Sequence, residues 1–154
     1  NEVVSSGVNY MKIGLFSEDQ IINHKRFLKE VDLNGCNPVC VVLIDDIKHI
    51  HYLDRLREIG YEGVMLDTIN KKQSHIFDLL SEEECISFVR QSRALGMTSG
   101  LAGSLTLDDL SILSKINPDF IGFRGQLCEK KSNRLNLDRN AVIELLSATH
   151  LSSQ

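Results

Sequence analysis

Residues 39–44 read VCVVLI, a short run of apolar side chains, most of which are β-branched. A run of this length without polar alternation is typical of a parallel strand that is buried on both faces of its sheet. Pro38 marks its start and Asp45 follows its end. The stretch therefore predicts a strand of the kind found at the centre of α/β proteins.

Four more strands and five helices are predicted around this strand, and the two kinds of element alternate. The predicted strands cover residues 8–15, 39–44, 63–67, 98–102 and 120–124. The predicted helices begin at Ser17, Ile47, Ser81, Thr106 and Asp138, and end near Gly35, Ile59, Leu95, Asn117 and Ala148. Three of these helices begin with the spacing of a capping box: Ser17 with Gln20, Ser81 with Glu84, and Thr106 with Asp109. Two long polar loops are predicted, at 68–80 and 125–137.

Strands that alternate with helices imply a parallel sheet with right-handed crossovers. Two architectures fit this order: an open doubly wound sheet, and part of a TIM (β/α)8 barrel. No GxGxxG or GxxxxGK[ST] motif follows the first strand, which counts against a nucleotide-binding open sheet. A whole barrel usually needs ~250 residues, whereas this chain has 154. We therefore expect an incomplete barrel, in which residues 1–154 form about five βα units of a single TIM-barrel domain.

The composition makes several functional classes improbable. The chain is 42% hydrophobic and 25% charged, as in an ordinary soluble globular protein. Its net charge of −4 is spread without a long basic run, so nucleic acid is not an expected partner. No segment reaches the ~18 apolar residues of a membrane span. The four cysteines form no CxxC pair, so we expect reduced thiols in a cytoplasmic protein: Cys36, Cys40, Cys85 and Cys128.

Two strands carry candidate acid/base groups. Lys12 interrupts the first strand, and alternation directs its side chain towards the barrel interior, where burial would suit it to proton transfer or Schiff-base chemistry. The alternative is a lysine that extends to solvent. Asp67 ends the third strand and Lys71 follows four residues later. The carboxylate can hold the ammonium group and tune its pKa, so the sequence predicts an acid/base pair.

Two loops carry a candidate phosphate site. Gly103 and Ser104 follow the fourth strand, and Arg124 and Gly125 follow the fifth. If these are the last two strands of a barrel, the loops lie where barrels often bind phosphate. Glycine lets backbone N–H groups approach an anion, serine donates a hydrogen bond, and arginine offers a bidentate fork. The alternative is a pair of tight turns with a structural arginine.

Other polar residues are weaker candidates. Asp45 and Asp46 either belong to the site or cap the following helix. His49 and His51 lack a third ligand at a suitable spacing, so no metal site is expected. Three further histidines are expected at the surface: His24, His75 and His150.

Several sequence blocks together resemble one known family. They are YMKIGL at 10–15, GVMLDT at 63–68, FDLL at 77–80, LAGSL at 101–105, and GFRG at 122–125 followed by Cys128, Arg134 and Asp138. In this order and spacing they are similar to the (5-formylfuran-3-yl)methyl phosphate synthase family of methanofuran biosynthesis. The resemblance covers essentially the whole chain.

The resemblance implies a fold, a reaction and a set of site residues. The family is a TIM barrel that condenses two molecules of glyceraldehyde 3-phosphate to a furan aldehyde phosphate, with loss of one phosphate and water. The chemistry is like that of class I aldolases, with a lysine Schiff base and neither a metal nor another cofactor. Lys12, Asp67 and Lys71 fall on acid/base positions. The phosphate-side loops correspond to Gly103, Ser104, Arg124 and Gly125.

The sequence also departs from the family. The Schiff-base lysine lies near the family's N-terminus on the first barrel strand, whereas residues 1–154 resemble the C-terminal part, from about the fourth strand. Asn136 stands where a glycine is expected. Two alternatives stay open: a truncated, non-catalytic protein that binds phosphate or docks on a subunit, and another sugar-phosphate aldolase or isomerase. An incomplete barrel also predicts a partner, either further copies of the chain or the missing barrel half.

Overall fold

A five-stranded sheet forms the centre of the molecule; all of its strands are parallel and they lie side by side in chain order. The computed structural model describes residues 7–44, 52–69, 74–129 and 136–151. The strands are β1 (Tyr10–Leu15), β2 (Asn37–Leu43), β3 (Gly63–Asp67), β4 (Thr98–Leu101) and β5 (Phe120–Ile121). The predicted α/β class with a parallel sheet is confirmed.

Six α-helices and three 3-10 turns connect or follow the strands in the described part of the chain. The helices are α1 (Ile21–Glu30), α2 (Leu53–Glu58), α3 (Ile76–Leu79), α4 (Glu82–Ala94), α5 (Leu110–Ile116) and α6 (Arg139–Leu151). The 3-10 turns are Glu18–Gln20, Leu107–Asp109 and Gly125–Leu127. No helix among the described residues is both long enough and apolar enough to cross a membrane.

The predicted helix starts are partly confirmed. Ser81 and Glu84 form the expected reciprocal capping box at α4. The prediction for Ser17 is wrong, because its side chain makes no capping hydrogen bond. The Gln20 side chain instead accepts a hydrogen bond from the Phe16 N–H at 3.0 Å, and a 3-10 turn precedes α1. The predicted start of the second helix, at Ile47, lies outside the described residues.

Two further predictions need correction. The loop at 68–80 contains α3, whose Ile76 is fully buried together with the following Leu80; four residues are too few to show a helical period. The fifth strand was predicted over 120–124, but β5 ends at Ile121. Its neighbour β4 ends at Leu101. The Gly122 N–H still donates to the Leu101 carbonyl, but residues 123 and 124 lie beyond the end of β4 and have no part of that strand to pair with.

Five of the six helices in the described residues, α1 to α5, pack on one face of the sheet. One core cluster unites strand residues such as Leu66 and Leu101 with Ile21 of α1, Leu56 of α2 and Phe88 of α4. The α5 helix contributes Leu113 and Ile116 to the same cluster. A doubly wound sheet carries helices on both faces, whereas α1 to α5 all contribute to the cluster on one face.

The opposite face of the sheet is concave. It carries Val39, Met65, Ala102 and Phe120, together with Lys12, which is in register with Val39. The Lys12 Nζ lies 5.3 Å from the centroid of the Phe120 ring, although β1 and β5 are the two edge strands. In a flat sheet these strands would be ~19 Å apart, too far for side chains that stand on the sheet. The sheet is therefore strongly curved.

Candidate functional site

A cleft opens at the carboxyl end of β3, β4 and β5. Its volume is about 90 Å³ and its walls are Asp67, Ala102, Gly103, Ser104, Gly122, Arg124 and Gly125. That space is comparable to about three water molecules, which suits a small anion such as a phosphoryl group. Five of the seven residues predicted for the site from the sequence line this cleft: Asp67, Gly103, Ser104, Arg124 and Gly125.

Asp67 enters the cleft from the end of β3. It is the last residue of that strand and lies on the concave face, two residues after Met65. The backbone N–H of Thr68 donates to the Asp67 Oδ1 at 2.8 Å, which fixes the orientation of the carboxylate. Thr68 itself is fully buried. The carboxylate is thus held in part by the backbone that directly follows its own strand.

The wall supplied by β4 has a constrained backbone. Gly103 has φ 113° and Ser104 has φ 58°. A side chain at Gly103 would also meet the Thr68 Cγ2 at 2.9 Å and the Ile76 Cβ at 3.2 Å, so only glycine fits there. A serine in the left-handed region costs roughly 1–2 kcal/mol. Strain of this kind gathers at binding sites, where it orients backbone groups.

Arg124 and Gly125 reach the cleft from the loop after β5, and both are exposed. Gly125 starts the 3-10 turn that leads away from the site. Gly122 allows this loop to lie close to β3 and β4, because a Cβ there would be 2.6 Å from the Met65 Cε and 3.0 Å from the Ala102 Cβ. Gly122 is the first residue of the GFRG block at 122–125 and was not among the predicted site residues, although it lines the cleft.

Lys12 lies outside this cleft. It lines a larger cavity of about 470 Å³ on the concave face, with Tyr10, Val39, Thr98, Asp119, Phe120 and Ile121. Its side chain lies on the concave face, where the Nζ is 3.4 Å from the Met65 Sδ; that this face is a barrel interior stays a prediction. The prediction that Lys12 is buried is wrong, because β1 is an edge strand and the described residues leave its side chain exposed.

Several candidates fall outside the described residues. Lys71 is one of these candidates, so the predicted acid/base pair that it forms with Asp67 stays a prediction. The others are Asp45, Asp46, His49, His51 and Arg134, and the side chain of His150. Within the described ranges, no three His, Cys, Asp or Glu side chains come together as a metal site requires.

Two histidines predicted at the surface are half-buried instead. The His24 Nδ1 lies 2.8 Å from the Tyr61 hydroxyl, and burial lowers the pKa of His24 below its usual value. The His75 Nε2 lies 3.1 Å from the Asp109 Oδ2. Neither of these two residues lines the cleft. In the sequence, the capping-box spacing between Thr106 and Asp109 is the one feature that predicts a hydrogen-bonded role for the Asp109 carboxylate.

All four cysteines are free thiols, as predicted. Cys40 and Cys85 are fully buried, and burial raises the pKa of each thiol to about 12. Thiols with such a high pKa are protonated near neutral pH and unreactive. Neither buried cysteine is therefore a candidate nucleophile.

Comparison with known proteins gives a consistent result over the chain. The sequence model of the family described as 4-HFC-P synthase matches residues 1–146. The chain is 30% identical over 154 residues to the (5-formylfuran-3-yl)methyl phosphate synthase of Methanosarcina barkeri, covering 93% of this chain and 65% of that protein. The synthase of the same name from Methanococcus aeolicus is 31% identical over 158 residues, covering 94% and 66%. The chain thus spans less than two thirds of the length of these relatives.

Proposed function

The chain belongs to the 4-HFC-P synthase family of methanofuran biosynthesis, and from that premise we propose that it supplies the phosphate-binding and acid/base groups of the synthase reaction. The observation that carries the proposal is the cleft in which Asp67, the Gly103–Ser104 loop and Arg124 meet. It combines one carboxylate with one guanidinium and a strained backbone turn, which are the groups needed to hold and deprotonate a phosphorylated aldehyde.

The proposed substrate is glyceraldehyde 3-phosphate. Two molecules would condense to (5-formylfuran-3-yl)methyl phosphate, with release of one inorganic phosphate and two molecules of water. A lysine amine would first add to one aldehyde and expel water, giving a Schiff base of class I aldolase type. Loss of a proton next to that Schiff base would then give the carbon nucleophile that attacks the second aldehyde.

The cleft would bind a phosphate of the substrate. Arg124 can donate two parallel hydrogen bonds to phosphate oxygens, which gives both charge neutralisation and a fixed geometry. Gly103 and Ser104 present backbone with positive φ at the opposite wall. Successive N–H groups in such conformations form concave anion sites. The volume of about 90 Å³ suits the phosphoryl group and leaves the rest of the substrate on the concave face.

Asp67, Lys12 and Lys71 would carry the proton transfers. Asp67 borders the phosphate cleft, and Lys12 reaches Met65, the residue two positions before Asp67 on the same face of β3. A substrate anchored at Arg124 and extending down the concave face would therefore pass Asp67 before it reached the Lys12 ammonium group. The order of groups along this path supports separate roles for the carboxylate and the amine.

We also propose that further strand–helix units complete a TIM barrel around the concave face. The chain covers 65–66% of the two relatives, and five units are a similar share of eight. Large apolar side chains are exposed near β1, where a further unit would pack, and on α6: Tyr10, Phe16 and Ile22 at the first, and Ile143 and Leu146 at the second. The Schiff-base lysine would come from these units.

A second candidate is a non-catalytic protein that binds phosphate or docks on a subunit. The exposed Lys12 and the open concave face favour it, because in the described residues the amine is not enclosed as a catalytic amine usually is. A third candidate, another sugar-phosphate aldolase or isomerase barrel, would use the same cleft with a different substrate.

Borohydride trapping separates these candidates. The chain is incubated with glyceraldehyde 3-phosphate and borohydride, alone and after mixing with the part of the Methanosarcina barkeri relative that it does not match, and then weighed by mass spectrometry. We expect trapping only in the mixture, on the added part. A covalent adduct on Lys12 or Lys71 of the isolated chain would show that this portion performs Schiff-base chemistry alone.

Glyceraldehyde without phosphate is the matched control substrate, and it should trap far less in the mixture. Phosphate binding without trapping in either sample would favour the non-catalytic candidate. If the chain neither binds phosphate nor gives a trapped adduct, both the synthase role and the non-catalytic role are contradicted. Turnover of a different sugar phosphate, with no reaction of glyceraldehyde 3-phosphate, would identify the third candidate.

A further inference from the structure

We propose that His75 is a positioning residue that joins the loop after β3 to the loop after β4 and thereby orients the Gly103–Ser104 peptide, which borders the cleft. The inference rests on the proposed role of the Gly103–Ser104 loop as a phosphate site. His75 does not line the cleft, so it is not offered as a catalytic group. Its effect would be transmitted through two hydrogen-bonded contacts between the loops.

Both ring nitrogens of His75 are engaged. The Nδ1 accepts a hydrogen bond from the Phe77 N–H at 3.2 Å and so caps α3. A nitrogen that accepts carries no hydrogen, so in the neutral ring the Nε2 bears it. The Nε2 lies 3.1 Å from the Asp109 Oδ2 and donates to it. The ring therefore has one partner in each loop and a single tautomer.

Asp109 is itself fixed to the loop after β4. Its Oδ2 accepts hydrogen bonds from the Thr106 N–H at 2.7 Å and from the Thr106 hydroxyl at 3.1 Å. The two side chains of the bridge are largely shielded, since that of His75 is 27% exposed and that of Asp109 15%. A shielded contact of this kind is stronger than a surface pair. The bridge thus connects the residue that caps α3 to a carboxylate that Thr106 holds.

A second contact lies next to the bridge. The Ile76 N–H donates to the Gly103 carbonyl at 3.0 Å. A planar trans peptide directs its C=O and N–H groups to opposite sides, so this bond also sets the direction of the Ser104 N–H. The Ile76 side chain is buried in the cluster on the helix face, so the residue that holds the Gly103–Ser104 peptide is itself held by the core.

Two conservative replacements test the two hydrogen bonds of the His75 ring one at a time, the bond at Nδ1 and the bond at Nε2. Asparagine can accept from the Phe77 N–H but is too short to reach Asp109, and it is among the best capping residues. Glutamine places an amide nitrogen near the Nε2 position and can reach Asp109. If His75 only caps α3, His75→Asn should be harmless. If it positions the loop, His75→Gln should be the milder change.

The experiment measures the dissociation constant for inorganic phosphate and the backbone amide signal of Ser104 by NMR, using the whole chain. We expect His75→Asn to weaken phosphate binding about five- to tenfold and to shift the Ser104 amide in the absence of phosphate. His75→Gln should lose less. Asp109→Asn should resemble His75→Asn, and the double variant should be no worse than either single one, because both break one contact.

The matched control is His24→Asn, which changes a half-buried histidine far from the cleft and should leave both readouts unaltered. Wild-type affinity and an unmoved Ser104 amide in His75→Asn would overturn the inference. If the wild-type chain binds no phosphate, the proposed function of the cleft fails. The Ser104 amide then still decides whether His75 orients that peptide.

Discussion

The Lys12 Nζ lies 3.4 Å from the Met65 Sδ, so an edge-strand lysine ends against a thioether two residues before Asp67. A thioether is a weak hydrogen-bond acceptor, and the ammonium group also lies over the Phe120 ring. Neither partner neutralises its charge. Among the described residues, the amine is therefore held on the concave face by these two weak contacts.

Lys12→Met tests the role of this amine. Methionine keeps the length and the apolar contacts with Met65 and Phe120, so the free energy of unfolding should change little at this exposed position. If Lys12 transfers protons, turnover in the chain supplemented with the proposed further strand–helix units should fall at least ~100-fold, the lower range of acid/base effects. Enzyme assays and urea titration measure the two quantities. The control is Lys115→Met on α5, and equal turnover in both variants would remove Lys12 from the mechanism.

Arg124→Lys and Arg124→Ala test the phosphate fork. Lysine keeps the charge but loses the bidentate geometry, so phosphate affinity should fall several-fold. Alanine should cost ~1.5–3 kcal/mol of binding free energy, as for a charged hydrogen bond. Calorimetric titration with inorganic phosphate gives the values. Arg90→Ala changes an exposed arginine on α4 and serves as control; if it weakens binding as much as Arg124→Ala does, the effect is one of net charge.

Gly122→Ala tests the packing beneath the cleft. The new methyl group would lie 2.6 Å from the Met65 Cε and 3.0 Å from the Ala102 Cβ. Overpacking of this kind should lower the free energy of unfolding by ~1–3 kcal/mol. Gly14→Ala is the control, because its Cβ would meet only the exposed Phe16 ring, which can turn away. Equal stability of the two variants in urea titration would show that Met65 adapts without cost.

His24 predicts a pH dependence of stability. Burial lowers its pKa below the usual 6.5 in the folded state. The unfolded chain therefore binds a proton first as the pH falls, so the free energy of unfolding should decrease from about pH 6.5 down through the lower folded pKa. Urea titrations across this range should show a steeper decline for the wild type than for His24→Asn, which keeps an acceptor for the Tyr61 hydroxyl. Parallel curves would exclude His24 as the titrating group.

Much of the fold could be predicted from local pattern because the strands are short and are separated by helices with clear start and stop signals, and because β2 and β3 are mostly apolar. The run at 39–44 and the capping box at Ser81 depend on residues within one element, and both were identified correctly. The end of β5 could not be predicted in the same way. It is set by β4, which ends at Leu101, and this dependence on a neighbouring strand is not written in residues 120–124 themselves.

The candidate site shows the same division. Asp67, Gly103 and Arg124 could be placed together because the carboxyl ends of parallel strands meet at one edge. The His75–Asp109 bridge could not, since the two residues lie 34 positions apart and each has an ordinary local role as a cap. The exposure of Lys12 depends on which strands flank β1, and the alternation of its own strand carries no information about that.

The two edge strands of the curved sheet determine how copies of the chain can associate. Among the described residues β1 pairs only with β2, and β5 only with β4. If β5 of one copy paired with β1 of a second copy, β5 of the second copy would remain unpaired. The contact would therefore join two different surfaces, which makes it heterologous, and further copies could add in the same way. If the sheet has the curvature of the proposed eight-stranded barrel, arcs of five strands cannot close into one complete circle. Self-association through these edges would then grow as an open-ended filament, and the proposed further strand–helix units would stop its growth.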